Sequence, residues 1–198
     1  MNVLLIFLKQ PLPGQVKTRL ARTLGHEEAV RIYRFLIEKT RQAASAAPTT
    51  HRWLFYANGL PEDADGWDDT CFTRYVQCSG DLGERMADAF RRAFAAGASR
   101  AVIIGSDCPE LSGEHLAEAF GALNDGDVVL GPTPDGGYYL LGLRRFHEAL
   151  FKGIAWSTPA VFEQTLAVVQ HLGWRVEVLP PLADIDTEAD WKAYLARC

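Results

Sequence analysis

Five short segments carry the side chains that could do chemistry. The first, Lys9-Gln-Pro-Leu-Pro-Gly-Gln-Val-Lys-Thr-Arg19, sets three cations, Lys9, Lys17 and Arg19, around a turn stiffened by proline and opened by Gly14. Fixed positive charge, with backbone N–H groups that a glycine lets a ligand approach, is what a phosphate requires. Lys17-Thr18 resembles the end of a P-loop, but the glycine positions of that motif hold Pro11 and Val16. The plainer reading is a solvated basic loop. Asp107, in Gly105-Ser-Asp-Cys-Pro109, follows an apolar run directly. It suits a hard cation such as Mg²⁺, which takes one or two protein carboxylates and completes its shell with phosphate and water; otherwise it caps a turn. Asp184-Ile-Asp186, if extended, puts two carboxylates on one side of the chain. They repel unless a cation joins them, or Asp186 merely assists the cap of the last helix.

Two further segments are more open. Gly131-Pro-Thr-Pro-Asp-Gly-Gly-Tyr-Tyr139 offers Asp135 as a general base or sugar-hydroxyl acceptor. Gly136 and Gly137 would allow close approach to a substrate, and Tyr138 could stack on a ring; Asp-Gly between strands is equally a hairpin turn. In Ser79-Gly-Asp-Leu-Gly83, Asp81 and Gly83 stand where a helix N-terminus would favour an anion or a polar base edge, or simply form its cap. Cys108 has no histidine in a recognisable relation to it and reads as a buried small hydrophobe. No HExxH, GxSxG or CxxC is present.

The elements that must position these residues follow from the apolar pattern. Val3–Leu8, Trp53–Ala57, Thr73–Gln77, Ala101–Gly105, Asp127–Leu130, Tyr138–Leu143 and Trp174–Leu179 read as strands, several apolar throughout and so covered on both faces. Helical periods run from Glu27 to Ala46, with Tyr33 on the apolar stripe, and from Leu82 toward a stop at Gly97. Ser112–Leu123 is a third helix, Ser157-Thr158-Pro159 is expected to open a fourth running to Leu172, and Thr187 with Asp190 caps a last one. Asn58–Thr70 is a polar loop. The expectation is one α/β domain over residues 1–198, a mostly parallel mixed sheet with helices on both faces. Ligands of such sheets bind beyond the carboxyl ends of the strands, where the loops above lie.

Composition narrows the partners. A chain 48% hydrophobic and 23% charged can bury a core, and its 25 acidic against 20 basic residues argue against a nucleic-acid coat while leaving room for a local phosphate site. The first apolar run spans six residues, too short for a membrane span or a secretory leader. Cys71, Cys78, Cys108 and Cys198 read as free thiols of a cytoplasmic protein.

Taken together, Lys17-Thr-Arg-Leu20, Gly80-Asp-Leu-Gly-Glu-Arg-Met86, Gly105-Ser-Asp-Cys-Pro109, Asp135-Gly-Gly-Tyr-Tyr139, Trp156-Ser-Thr158 and Asp184-Ile-Asp-Thr187 resemble a bacterial glycosyltransferase family associated with radical-SAM proteins and arsenosugar biosynthesis. That family is similar to the nucleotide-diphospho-sugar transferases of Rossmann-like GT-A fold, and within them to 2-phospholactate guanylyltransferase and the molybdenum-cofactor nucleotidyltransferases. The resemblance implies that Asp107 matches the metal-binding aspartate, that Asp186 or Asp184 supplies the second carboxylate, and that Lys17 and Arg19 belong to the nucleotide-phosphate loop. The Asp-x-Asp pair common in GT-A glycosyltransferases is here Ser106-Asp107-Cys108, as in the nucleotidyltransferase branch.

The leading expectation is a glycosyltransferase with a nucleotide-diphosphate sugar donor. Mg²⁺ or Mn²⁺ on Asp107 and Asp186 would neutralise the leaving nucleotide, and Asp135 would be base toward a small-molecule acceptor. The alternative is nucleotidyl transfer from a nucleoside triphosphate to a phosphorylated acceptor, with Lys9, Lys17 and Arg19 stabilising the pyrophosphate. A third is a non-catalytic nucleotide-binding module. The sequence sets neither the base and acceptor nor the oligomeric state.

Overall fold

The structure is a computed structural model, which describes residues 1–62 and 65–197. Cys198 and part of the expected 58–70 loop lie outside the described residues. A seven-stranded sheet forms the centre, in the order β3-β2-β1-β4-β6-β5-β7. Its strands are β1 Asn2–Leu8, β2 His51–Tyr56, β3 Phe72–Val76, β4 Arg100–Ile104, β5 Val128–Pro132, β6 Tyr138–Leu143 and β7 Val176–Val178. β6 runs antiparallel to both β4 and β5; every other pairing is parallel. The α/β, mostly parallel mixed sheet expected from the sequence is therefore present.

The strand order places the site. From β1 the chain winds outward to β2 and β3 on one side, then crosses back to β4 on the other. The loops after β1 and β4 diverge at this reversal and leave a crevice, where open α/β sheets bind ligands. Because β6 is antiparallel, its first residues, Tyr138 and Tyr139, face the same edge.

Helices cover both faces: α1 Thr18–Leu24, α2 His26–Ala46, α3 Leu82–Ala95, α4 Gly113–Ala122, α5 Val161–His171 and α6 Glu188–Leu195. Leu4, Ile6, Leu54 and Ile104 bury one sheet face with Leu116 and Phe120 of α4. Val3, Leu5, Phe55 and Ile103 bury the other with Met86 and Phe90 of α3. A third, smaller core joins Val16, Leu20, Tyr33, Leu36, Ile185 and Tyr194, directly under the crevice.

One helix was not foreseen and one expectation needs correction. Thr18–Leu24 is a separate seven-residue helix, divided from α2 by Gly25 at φ 85° and anchored by the fully buried Leu20. Ser157-Thr158-Pro159 does not open a helix. Ser157 sits at φ 63°, and α5 begins only at Val161. The segment turns first because its Pro159 carbonyl packs against Gly136, where a Cβ would overlap it. The expected caps do form, with reciprocal side-chain and backbone bonds at Asp81/Glu84 and at Thr187/Asp190. Among the described residues no helix is long and apolar enough to cross a membrane.

Candidate active site

The crevice is a cleft of about 510 Å³, within the size range of small-molecule sites. The loop after β1 enters it through Lys9, Lys17 and Arg19; the loop after β4 through Ser106, Asp107 and Cys108; the chain before α6 through Asp184 and Asp186. The far wall comes from Gln77, Leu82, Arg85 and Met86, around the start of α3, and from Tyr138.

Lys17 is the centre of the arrangement. Its backbone is left-handed (φ 45°), an uncommon conformation outside glycine, and directs the chain into α1. Its side chain is 5% exposed, and its Nζ lies 2.7 Å from Asp107 Oδ1 and 3.0 Å from Asp186 Oδ1. Two carboxylates distant in sequence thus meet on one ammonium. Burial alone would push the Lys17 pKa down, but the charges of Asp107 and Asp186 and their hydrogen bonds outweigh it, and the net shift is upward. Lys17 stays charged. Arg19 Nη1 is 3.7 Å from the other Asp186 oxygen. Asp184 is close enough to feel the same charges. Loss of solvent, then Asp107, pushes its carboxyl up to about 7; Lys17 opposes the shift, and Asp186 and Asp135 add to it.

Two carboxylates therefore meet one nearly buried ammonium, with Asp184 close by, an oxygen-only donor set in which the two paired carboxylates outnumber the cation. That chemistry fits a hard divalent cation such as Mg²⁺ or Mn²⁺. Among the described residues no three acidic, histidine or cysteine side chains form a preformed metal cage. An ion here would complete its shell with phosphate and water, in competition with Lys17 for the carboxylate oxygens.

Backbone and amide contacts hold the loops. Gln10 N–H donates to Asn58 Oδ1 (2.7 Å), and Asn58 Nδ2 donates to Gln15 Oε1 (2.9 Å), so the turn after β1 is bound to the turn after β2. Lys9 N–H donates to the Tyr33 hydroxyl (2.9 Å), which lies 2.9 Å from Ser106 Oγ. Ile185 N–H donates to the Asp107 carbonyl at 3.0 Å, joining the two acidic segments.

Of the other expected site residues, Tyr138 lines the cleft and the rest lie off its wall. Gly14 supplies a turn at φ 77°. Asp81 caps α3, and Gly83 leaves room for the Trp156 indole. Asp135 is exposed; its Oδ1 accepts from the Thr133 hydroxyl (2.5 Å) and Gly137 N–H (3.2 Å) within the β5–β6 hairpin turn. Gly136 adopts φ 88° in that turn. Tyr138 lines the cleft with its ring, while its hydroxyl is buried near Thr165 of α5. Burial raises the Cys108 thiol to about 12, with Asp184 adding to the shift, which favours the protonated thiol over the nucleophilic thiolate. Cys71 and Cys78 are free thiols too. Sequence reasoning missed Tyr33, Asn58, Gln77 and Arg85 as site residues; the Gly80-Asp-Leu-Gly-Glu-Arg-Met86 run was the one signal that covered Arg85.

Residues 40–158 match the family described as "Uncharacterized protein conserved in bacteria (DUF2064)". The chain belongs to that family. No curated protein matches it. Among solved structures, a proposed nucleotide-diphospho-sugar transferase from Desulfovibrio desulfuricans G20 superposes with a TM-score of 0.88 at 33% identity, over 98% of this chain and 85% of that one. A nucleotidyl transferase from Methanothermobacter thermautotroptrophicus gives 0.64 at 15% identity, over 100% and 97%. Rv0371C from Mycobacterium tuberculosis H37Rv, in complex with manganese, gives 0.51 at 14%, over 100% and 98%. The last two share the fold with this DUF2064 chain. The first is near enough in sequence to be a relative, and its description, like that of the Methanothermobacter protein, is of a transferase.

Proposed function

We propose that this chain is a transferase whose donor is a nucleoside triphosphate and whose reaction is nucleotidyl transfer to a small phosphorylated acceptor. The observation that carries the reading is the Lys17, Asp107 and Asp186 cluster on the floor of a cleft that Lys9, Arg19 and Arg85 also line. Phosphoryl chemistry is mostly positioning and charge stabilisation, which such a site provides. An oxygen of the acceptor phosphate attacks the α-phosphorus. The bond from that phosphorus to the bridging β-oxygen breaks, and pyrophosphate leaves with the electron pair. Lys9, Lys17 and Arg19 hold the charge that builds on the pyrophosphate. The attacking phosphate is already ionised and needs no base. Asp107 and Asp186, with Asp184 beside them, are the residues that would hold a divalent ion, which when bound neutralises phosphate charge. The manganese complex of the mycobacterial fold neighbour supports that choice of ion.

A second reading is favoured by the description of the Desulfovibrio relative. In glycosyl transfer from a nucleotide-diphosphate sugar, the acceptor hydroxyl oxygen forms a bond to the anomeric carbon, the bond from that carbon to the phosphate oxygen breaks, the nucleoside diphosphate leaves with the electron pair, and the hydroxyl proton passes to Asp135. The hairpin hydrogen bonds use Asp135 Oδ1, and among the described residues Oδ2 has no hydrogen-bond partner and would take that role.

One experiment separates the two. The protein with Mn²⁺ is given each nucleoside triphosphate with a panel of phosphorylated acceptors, and each nucleotide-sugar with hydroxyl acceptors; pyrophosphate and nucleoside diphosphate are measured. Pyrophosphate release that needs an acceptor supports nucleotidyl transfer. Nucleoside diphosphate release from a sugar donor alone overturns it for the glycosyl reading. Tight nucleotide binding with neither product would make the chain a binding module.

A further inference from the structure

We infer that Tyr33 is a positioning residue, whose hydroxyl clasps the phosphate-loop strand end to the carboxylate loop and so sets the distance between Lys17 and Asp107. The inference deepens the proposed reaction and rests on that reading of the cleft. Tyr33 lies on α2, away from every segment that carries the charged groups, yet the residue is only 3% exposed and borders the cleft. There the oxygen accepts the Lys9 N–H at 2.9 Å and meets Ser106 Oγ at 2.9 Å. Ser106 is itself buried, and Tyr33 is the partner found for its hydroxyl. One atom therefore joins the residue that follows β1 to the residue before Asp107.

The ring completes the arrangement. Tyr33 packs in the same core cluster as Val16, the residue before Lys17, as Leu20 of α1, and as Ile185, the residue between Asp184 and Asp186. Each charged group of the cleft floor is thus adjacent in sequence to a residue that touches Tyr33 directly or packs in its cluster. A displacement of about an ångström at a reacting centre can change rate by about a hundredfold. Nothing in the fold requires a hydroxyl here for packing: phenylalanine would fill the same volume and leave the Lys9 N–H and Ser106 Oγ without a partner.

The test uses Tyr33→Phe, Ser106→Ala and the double variant in the full chain, with two independent readouts. Amide hydrogen exchange at Lys9 reads the clasp without any substrate: Tyr33→Phe is expected to raise it at least about tenfold, while Ser106→Ala leaves it within about threefold. Turnover with the donor that the wild type accepts reads the consequence. Each single variant is expected to lower kcat about tenfold, and the double variant to be no worse than the poorer single, because both remove the same link. Unchanged Lys9 exchange, or single effects on kcat that multiply in the double, overturns the clasp. A purely structural role would lower Tm and leave kcat untouched, which also overturns it. If the wild type turns over no donor while Lys9 exchange responds as stated, the reaction assigned to the cleft fails and the clasp itself stands.

Discussion

Replacing Lys17 by methionine gives the most informative single perturbation of the cleft. The methionine keeps the unbranched stem and removes the ammonium that Asp107 and Asp186 share at 2.7 and 3.0 Å. Breaking a wholly buried pair from one side costs about 3–5 kcal/mol. Here only Lys17 is enclosed, and the carboxylates are 42% and 46% exposed. Water screens the repulsion left between them, so the expected loss is about 1–2 kcal/mol. For a chain of this length that lowers Tm by about 2–8 °C. The same change frees both carboxylates for a divalent ion that no longer competes with a resident positive charge. Mn²⁺ affinity without nucleotide should therefore rise about tenfold or more, equivalent to about 1.4 kcal/mol. Titration of Mn²⁺, followed by the electron paramagnetic resonance of the free ion, reads the affinity. Calorimetry with and without Mn²⁺ reads the stability, and added ion should recover more than the loss by mass action. Turnover should fall even though the ion binds better. A folded Lys17→Met protein whose Mn²⁺ affinity is unchanged or weaker would refute the reasoning that the ammonium and the ion share one set of oxygens.

Other outcomes follow from the same geometry. Asp184 titrates near 7 folded against 3.8 in its ordinary state, so the folded protein holds that proton more tightly than the unfolded one between those values. Metal-free stability should fall as pH rises from about 4 to about 7, by about 1–2 kcal/mol after allowance for its partial exposure; Asp184→Asn should flatten the profile measured by urea unfolding, and Mn²⁺ should do so in the wild type. Gly136→Ala places a Cβ into the Pro159 carbonyl at a positive φ, and should cost about 2–4 kcal/mol in a thermal melt, whereas a loss under about 0.5 would mean that the Pro159 segment yields freely. Asp135→Asn should leave nucleotidyl turnover within about threefold; a loss of a hundredfold or more would favour the glycosyl role for this residue.

Much of the scaffold was legible because buried parallel strands are written as unbroken apolar runs. Val3–Leu8 and Ala101–Gly105 matched β1 and β4 to within one residue at each end. Helix α1 escaped because seven residues show too little periodicity; burial of Leu20 and the stop at Gly25 create it. Ser157-Thr158-Pro159 carried a local helix-start signal, and a tertiary contact with Gly136 overrode it. In the site, like charge at Asp184 and Asp186 signalled a nearby cation, but no local pattern said that the cation is the chain's own Lys17, 169 positions from Asp186. Tyr33 looked like one more residue of an apolar stripe. Its partners are backbone and side-chain atoms 24 and 73 positions away, set beside it only by the sheet order.

The central claim is that Asp107, Asp186 and the loop cations form a nucleoside-polyphosphate site that works with a divalent ion. Isothermal titration of nucleoside triphosphates into wild type and Asp107→Asn, with and without Mn²⁺, tests it most directly. At least one triphosphate is expected to bind the wild type ten or more times tighter with Mn²⁺, and this gain is expected to be lost in a folded Asp107→Asn protein. Binding that is equal with and without the ion, or an Mn²⁺ gain that survives Asp107→Asn, would contradict it.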